Sequence, residues 1–461
     1  MGGFDEAYAP AYYEESDFCV RLHERGLRVV YDPTVQISHY EFASSGGLKG
    51  ASALQAEHRK ILCNKHPDYL QARADNNPDN VLWGRIANDY PNVLIIDDRV
   101  PHPSLGAGYP RCCHILNSLA DMQLNVGFFP LLYPNDNWQQ VYQSLSRKIE
   151  VLLNRGEAQL RKLLEERRGY YQIIMVSRVH NMEVFNRIVS KDPTLLSGVR
   201  VIYDAEAVVA PREANRRRLF GAEVSAQAEQ EMVQDELAIA KPAKQIVAVS
   251  ENEARLFREQ GFSDTTVLGH ISHPIDNPAP FDRRSGLLFV GALRDDGSPN
   301  VDSLLWFIVN VLPLIRTAIP DIELTVVGDN FATALAAIEL DNVTFTGRID
   351  NIDTYYDAAR VFIAPTRFAA GIPHKVHEAA GKGIPSVVKP LLAEQLGWED
   401  GTELLSAESA EEFAAACTRL HTDETLWNSL QANGFAAIER DCSETQFTNA
   451  LQELFGRETA G

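Results

Sequence analysis

The residues best suited to chemistry stand in PTRFAAGIPHKVHEAAGKGIPSVV, residues 365 to 388. The pattern predicts a buried strand, a tight turn at Gly371 and Ile372, a short helix and a second buried strand. Lys375 and Glu378 are three apart, so one helical face carries both. The N-terminus of such a helix presents free backbone N–H groups and the positive end of a dipole, which suits a phosphate. Lys375 can neutralise a diphosphate. Glu378 can accept hydrogen bonds from two ribose hydroxyls. The combination suits a nucleotide sugar.

Other candidates lie at the ends of expected strands. YDAEAVVAPREANRRR, residues 203 to 218, puts Asp204 and Glu206 at a strand end. Ligands bind at the carboxyl ends of parallel strands in open α/β sheets. Helix capping by either carboxylate is the plainer alternative. Arg216, Arg217 and Arg218 suit a solvated helix face, or an anionic lipid surface. His180, just past another strand end, suits a sugar hydroxyl or an ordinary surface position. PHPSLGAGYPR places Gly106 and Gly108 at the opening of a helix, but lacks the third glycine of a dinucleotide fingerprint.

These residues need elements to hold them. NVLIIDD (92–98), NVGFFPLLY, QIIMVSR (172–178), GVRVIYDAE (198–206), QIVAVS (245–250) and TTVLGH (265–270) read as short strands with helices between. A long polar helical region is expected over roughly 137–168. HISHPIDNPAPFDRRSG, residues 270 to 286, breaks the pattern with three prolines and reads as an interdomain linker. The alternation restarts with LLFVGAL (287–293), IELTVVG (322–328), VTFTG (343–347) and VFIAPT (361–366), with a last strand around ELLSA. Strands alternating with helices imply doubly wound parallel sheets.

The 365–388 segment resembles the donor-site signature of family 4 glycosyltransferases. That resemblance spans roughly residues 91 to 461. It implies a GT-B fold, two Rossmann-like doubly wound parallel-sheet domains facing a cleft. It divides the chain into an acceptor domain (91–272), a nucleotide-sugar donor domain (273–440) and a C-terminal crossover helix (441–461). It also implies sugar transfer with retention at the anomeric carbon, no metal and no cofactor, the nucleotide sugar being a substrate. Lys375, Glu378 and Arg294 are then the catalytic candidates, Lys375 and Arg294 facing the diphosphate and Glu378 the ribose. Gly291, Gly347, Arg348, Gly371 and Ile372 join Lys375 and Glu378 in holding the donor. Gly106, Gly108, His180, Asp204, Glu206 and Arg212 face a glycan or lipid-linked acceptor, with Glu213 paired to Arg212 in the motif. Two departures stand out. The motif's first glutamate position is Ala370. The loop FVGALRDDGSPN keeps only Arg294 where relatives carry an Arg and a Lys. Both speak for a competing reading, a non-catalytic nucleotide- or glycan-binding scaffold.

Residues 1–75 resemble the C-terminal end of a family 2 glycosyltransferase, a GT-A enzyme. By that resemblance Glu14, Glu15 and Asp17 fall where the catalytic base lies, and His39 matches a metal-holding histidine. About 75 residues are too few for a whole enzyme of that kind, so the stretch is expected to be a small α/β remnant of a longer polypeptide, with Met1 not the biological start. Residues 76–90 read as a linker.

A formal net charge of −20 argues against a nucleic-acid partner. No apolar run is expected to span a bilayer. Six scattered cysteines without zinc spacing suit free thiols in a cytoplasmic protein, with peripheral contact at the inner face of a membrane as the further expectation.

Overall fold

The computed structural model describes residues 2–27, 29–30, 35–38, 48–73, 75, 77–84, 90–106, 108–336, 341–349 and 351–456. It separates into two compact units, Met1–Asp89 and Tyr90–Gly461.

The first unit is helical among its described residues, with helices Glu14–His23, Leu48–Lys65 and Pro67–Gln71. An α/β remnant calls for a strand after the first helix, but residues 28 and 31–34 there lie outside the described residues, as does His39. Asp17 is not available as a base. Its carboxylate is 1% exposed and accepts from Arg21 Nε at 2.7 Å, His66 Nε2 at 2.9 Å and the Tyr8 hydroxyl at 3.3 Å. Burial opposes its ionisation, yet His66 and Arg21 hold its carboxyl below the usual range. It ties the unit's first helix to the start of its third. Glu14 and Glu15 open the first helix, where the dipole favours acidic side chains.

The second unit contains two parallel sheets. The first has seven strands: β1 (Asn92–Asp97), β2 (Asn125–Pro130), β3 (Glu150–Val151), β4 (Ile173–Ser177), β5 (Arg200–Asp204), β6 (Gln245–Ala248) and β7 (Thr265–Val267). Their order is β3-β2-β1-β4-β5-β6-β7. The second sheet has six: β8 (Leu287–Val290), β9 (Leu324–Val327), β10 (Val343–Gly347), β11 (Val361–Ala364), β12 (Ser386–Val388) and β13 (Leu405–Ser406), in order β10-β9-β8-β11-β12-β13. In each sheet the first strand lies inside and the order reverses there, which makes a topological switch point. The central strands are apolar runs buried on both faces, as parallel strands are.

Two expectations change. The region 137–168 is not one helix. It breaks into helices Trp138–Ser144 and Gly156–Glu166 around the edge strand β3. Asn154 and Gly156, both at positive φ, force the chain to turn between β3 and the second helix. In addition, Pro299–Ala318 is long and apolar enough to cross a membrane by length and composition. Its Val301, Leu304, Phe307, Ile308, Val311, Leu312 and Ile315 pack instead into the core of the second sheet. The last helix, Glu444–Gly456, returns to the first sheet, where Phe447, Leu451, Leu454 and Phe455 join its core.

Candidate functional site

Helix His374–Gly381 follows β11 and the loop through Gly371. Lys375 is half-buried on it. Its Nζ donates to Asn300 Oδ1 at 2.9 Å and lies 5.2 Å from the centre of the Phe289 ring. Burial lowers the Lys375 ammonium to about 8. Asn300 in turn donates from Nδ2 to Ala292 O at 3.1 Å, and a Cβ on Gly291 would meet that Nδ2 at 2.8 Å. A side chain at 291 would displace the Asn300 amide that meets Lys375. Burial pushes the Glu378 carboxyl up, while the neighbouring Tyr356 hydroxyl and Lys382 pull it down.

Gly371 has φ +72°, and its N–H donates to Glu253 Oε1 at 3.1 Å. Ile372 beside it is half-buried. Ala370 lines a cavity of about 520 Å³ together with Glu253, Gly371 and Gln395. Gly347, at φ +69°, closes β10, and Arg348 after it is exposed. Arg294 is 61% exposed and paired with Asp329 at 2.7 Å. It shares a cavity of about 560 Å³ with Asp98, Tyr109 and His180 rather than sitting in the Lys375–Asn300 contact.

The other wall is built at the carboxyl ends of β1, β4 and β5. Arg178 is its centre. Arg178 Nε lies 2.7 Å from Asp97 Oδ1 and 3.5 Å from Asp98 Oδ2, and Nη2 lies 3.0 Å from Glu206 Oε2. The guanidinium also sits 4.7 Å from the Tyr109 ring centre. Asp98 is paired with His180 Nε2 at 2.6 Å and accepts from Asn181 Nδ2 at 3.0 Å. The Asp98 hydrogen bond holds His180 above the usual imidazole range. Asp97 is pushed up by burial. Glu206 is raised to about 7, chiefly by burial, with Arg111 and Arg178 opposing and Asp204 and Asp97 adding to the rise. Both Arg178 and Glu206 have positive φ, 74° and 60°. Such strain in non-glycine residues concentrates at functional sites. Gly108 leaves room here: a Cβ would stand 2.5 Å from Glu206 Oε2 and 2.7 Å from Arg178 Nη2, so any larger residue would displace both side chains. Gly106, at φ +120°, shapes the loop before that helix with open space around it.

Asp204 is a correction. It is 1% exposed and forms a two-pronged pair with Arg111, Nη1 and Nη2 each at 2.9 Å. Ser177 Oγ adds a third bond at 3.1 Å, and Arg111 Nε donates to Leu268 O at 2.9 Å. Its carboxylate is committed to holding β5 against the helix Gly108–Asp121 and cannot meet an acceptor. Arg212 is half-buried on helix Ala210–Leu219 and acts on Glu236. Glu213 pairs along the helix with Arg217 at 3.0 Å, and Arg218 with Glu229 at 2.6 Å. Residues the motif reading did not single out are Asp97, Asp98, Tyr109, Arg178, Asn300 and Glu253. The strand-end rule that selected Asp204 applies equally to Asp97 and Asp98, at the end of NVLIIDD. Asn300 and Glu253 had no such signal.

Residues 284–423 match the family model described as glycosyl transferases group 1. No curated protein sequence matches the chain significantly. Among solved structures, the sucrose-phosphate synthase of Thermosynechococcus elongatus is similar at 17% identity and TM-score 0.60, covering 80% of this chain and 98% of that one. Anabaena HepE, solved with UDP-glucose, is similar at 14% identity and TM-score 0.56, covering 80% and 100%. TarM of S. aureus, a variant solved with fondaparinux, α-GlcNAc-glycerol and UDP, is similar at 8% identity and TM-score 0.57, covering 79% and 99%. At these identities the likeness concerns the fold. That fold is GT-B, two parallel-sheet α/β domains of seven and six strands.

Proposed function

We propose that this chain is a family 4-type glycosyltransferase that moves a sugar from a nucleotide-sugar donor to a glycan or lipid-linked acceptor, with retention at the anomeric carbon. One observation carries the reading: Lys375 and Glu378 share a face of the helix that follows the Gly371 turn, and the loop at Gly371 reaches Glu206, Ala207 and Glu253 of the opposite wall. Glu378 takes the ribose hydroxyls. Lys375 and the helix N-terminus balance the diphosphate as the bond from the anomeric carbon to its oxygen breaks. The departing phosphate oxygen takes the proton of the acceptor hydroxyl on the same face, and the new carbon–oxygen bond forms there. In this reading His180, Glu206 and Arg178 orient the acceptor. Lys375 supplies the cation, so turnover is expected to persist in chelator. A metal requirement restored by Mg²⁺ or Mn²⁺ counts against that part.

The setting that fits is bacterial surface polysaccharide or lipopolysaccharide assembly, at the cytoplasmic face of the inner membrane. The second reading, a non-catalytic nucleotide or glycan binder, is favoured by Ala370 at the missing glutamate position. Titration calorimetry against UDP, GDP, ADP, their sugars and glycan acceptors, followed by assay of sugar release with and without those acceptors, separates the two. Binding with acceptor-dependent turnover, and product NMR showing retention, supports the enzyme. Binding without turnover supports the binder, and no binding of any nucleotide, sugar nucleotide or glycan in the same titrations removes both.

A further inference from the structure

Glu253 is a buried carboxylate to which neither wall of the cleft assigns a task. It stands in the first turn of helix Glu251–Glu259, after β6, where its own N–H is capped by Ser250 Oγ at 3.3 Å. The residue is 7% exposed. A single oxygen, Oε1, accepts from Val208 N at 2.9 Å and from Gly371 N at 3.1 Å. Val208 lies in the loop after β5 of the first sheet. Gly371 lies in the loop after β11 of the second. One carboxylate oxygen therefore joins the main chains of the two domains. The other oxygen, Oε2, is buried without a hydrogen-bond partner. Leaving a carboxylate so placed is costly, and packing alone would be better served by an apolar side chain.

Its surroundings show where the restraint falls. The 208–210 loop has a second holder, because Glu236 accepts from Val209 N at 2.8 Å and Ala210 N at 2.6 Å. Gly371 has Glu253 as its side-chain acceptor. Contact there is close: a Cβ on Gly371 would stand 3.3 Å from Ala207 Cβ and 3.4 Å from Glu206 O. Gly371 is four residues before Lys375 and sits in a left-handed turn, so its orientation sets where the helix His374–Gly381 begins.

We propose that Glu253 is a positioning residue that transmits contact between the two domains to the donor loop, fixing the Gly371 turn and with it the placement of Lys375 and Glu378. The consequence for sugar transfer rests on the donor-site reading above. The latch itself does not. An ionised carboxylate is the stronger acceptor. Burial raises the Glu253 carboxyl to about 7, with the N–H groups of Val208 and Gly371 opposing and the nearby carboxylates Glu236 and Glu206 adding to the rise. Although the ionised form accepts more strongly, the raised value means that the latched state holds the proton more tightly than an opened, hydrated one, so the latch loosens as pH rises through about 7.

Hydrogen exchange on the full chain without ligand tests this, following residues 205–209 and 369–373 from pH 6 to 8, corrected for intrinsic exchange. Glu253→Ala is expected to speed exchange at 369–373 by about tenfold, the worth of one hydrogen bond of ordinary strength, with β8 and β11 unchanged. Glu253→Gln keeps one acceptor oxygen. It should restore much of the protection and lose the pH dependence. If 369–373 stays as protected as in the wild type while only 205–209 loosens, Glu253 braces its own domain and the proposal is overturned. Should Glu253→Ala not fold, the wild type and Glu253→Gln decide: identical pH profiles at 369–373 overturn it equally. Calorimetry with UDP on the same samples reports the donor-site reading separately, so an absence of nucleotide binding leaves the latch result standing.

Discussion

In the proposed reaction, Lys375 is the residue on which the chemistry most depends. Its ammonium is desolvated, and burial lowers it to about 8. A base with a depressed value is charged below that value and neutral above it. Donor kcat/KM should therefore fall as pH rises through about 8, and Lys375→Arg, which stays charged, should remove that limb. Lys375→Ala should lower turnover by about 10²–10³, as losing one electrostatic contact to a leaving group does. Arg294→Ala should cost less, because Arg294 is exposed and already paired with Asp329. If Arg294→Ala proves the more damaging in the same assay, the loop after β8 holds the diphosphate. Glu378→Ala should weaken nucleotide-sugar binding by about 1.5–3 kcal/mol for each charged hydrogen bond lost. Unchanged affinity by calorimetry would take Glu378 out of the site.

At the scale of elements, strand ends and helix starts do separate jobs. The Arg111–Asp204 pair is structural. Asp204→Asn leaves the Arg111 guanidinium buried without its counter-charge, and should destabilise the first domain by about 3–5 kcal/mol. Urea titration measures this, and nucleotide affinity under native conditions should hardly move. Gly108→Ala has the opposite profile. It inserts a methyl where Glu206 and Arg178 already stand. Turnover should fall well beyond any change in thermal midpoint, because the clash is with side chains of the cleft. An equal loss in both would mean that the Arg178 network serves the fold.

At the scale of the molecule, the chain divides at Asp89 and Tyr90, and every residue assigned to donor or acceptor lies in the second unit. Removing residues 1–75 should leave nucleotide affinity within about a factor of two, less than 0.5 kcal/mol. A soluble shortened chain that binds no nucleotide would make the first unit part of the working site. The return of the last helix to the first sheet also predicts that truncation before Glu444 exposes the apolar face now covered by Phe447, Leu451 and Leu454. Aggregation on size-exclusion chromatography is the expected outcome.

The sequence by itself determined the two parallel sheets, because buried strands written as Val-Ile-Leu runs between helices leave few other arrangements. It also set Lys375 and Glu378 side by side, since they are local neighbours and helical geometry alone gives them one face. The edge strand β3 was not legible: two residues carry no periodicity. Asp204 and Asp97 looked alike, each at a strand end. Only the tertiary structure separated them, by placing Arg111 against one and Arg178 against the other, from segments distant in the chain. Arg178 brings together ends of three strands, and Glu253 meets a glycine 118 residues away. The first contact depends on strand order within one sheet and the second on how the two sheets face each other, and no local pattern of residue types encodes either partner.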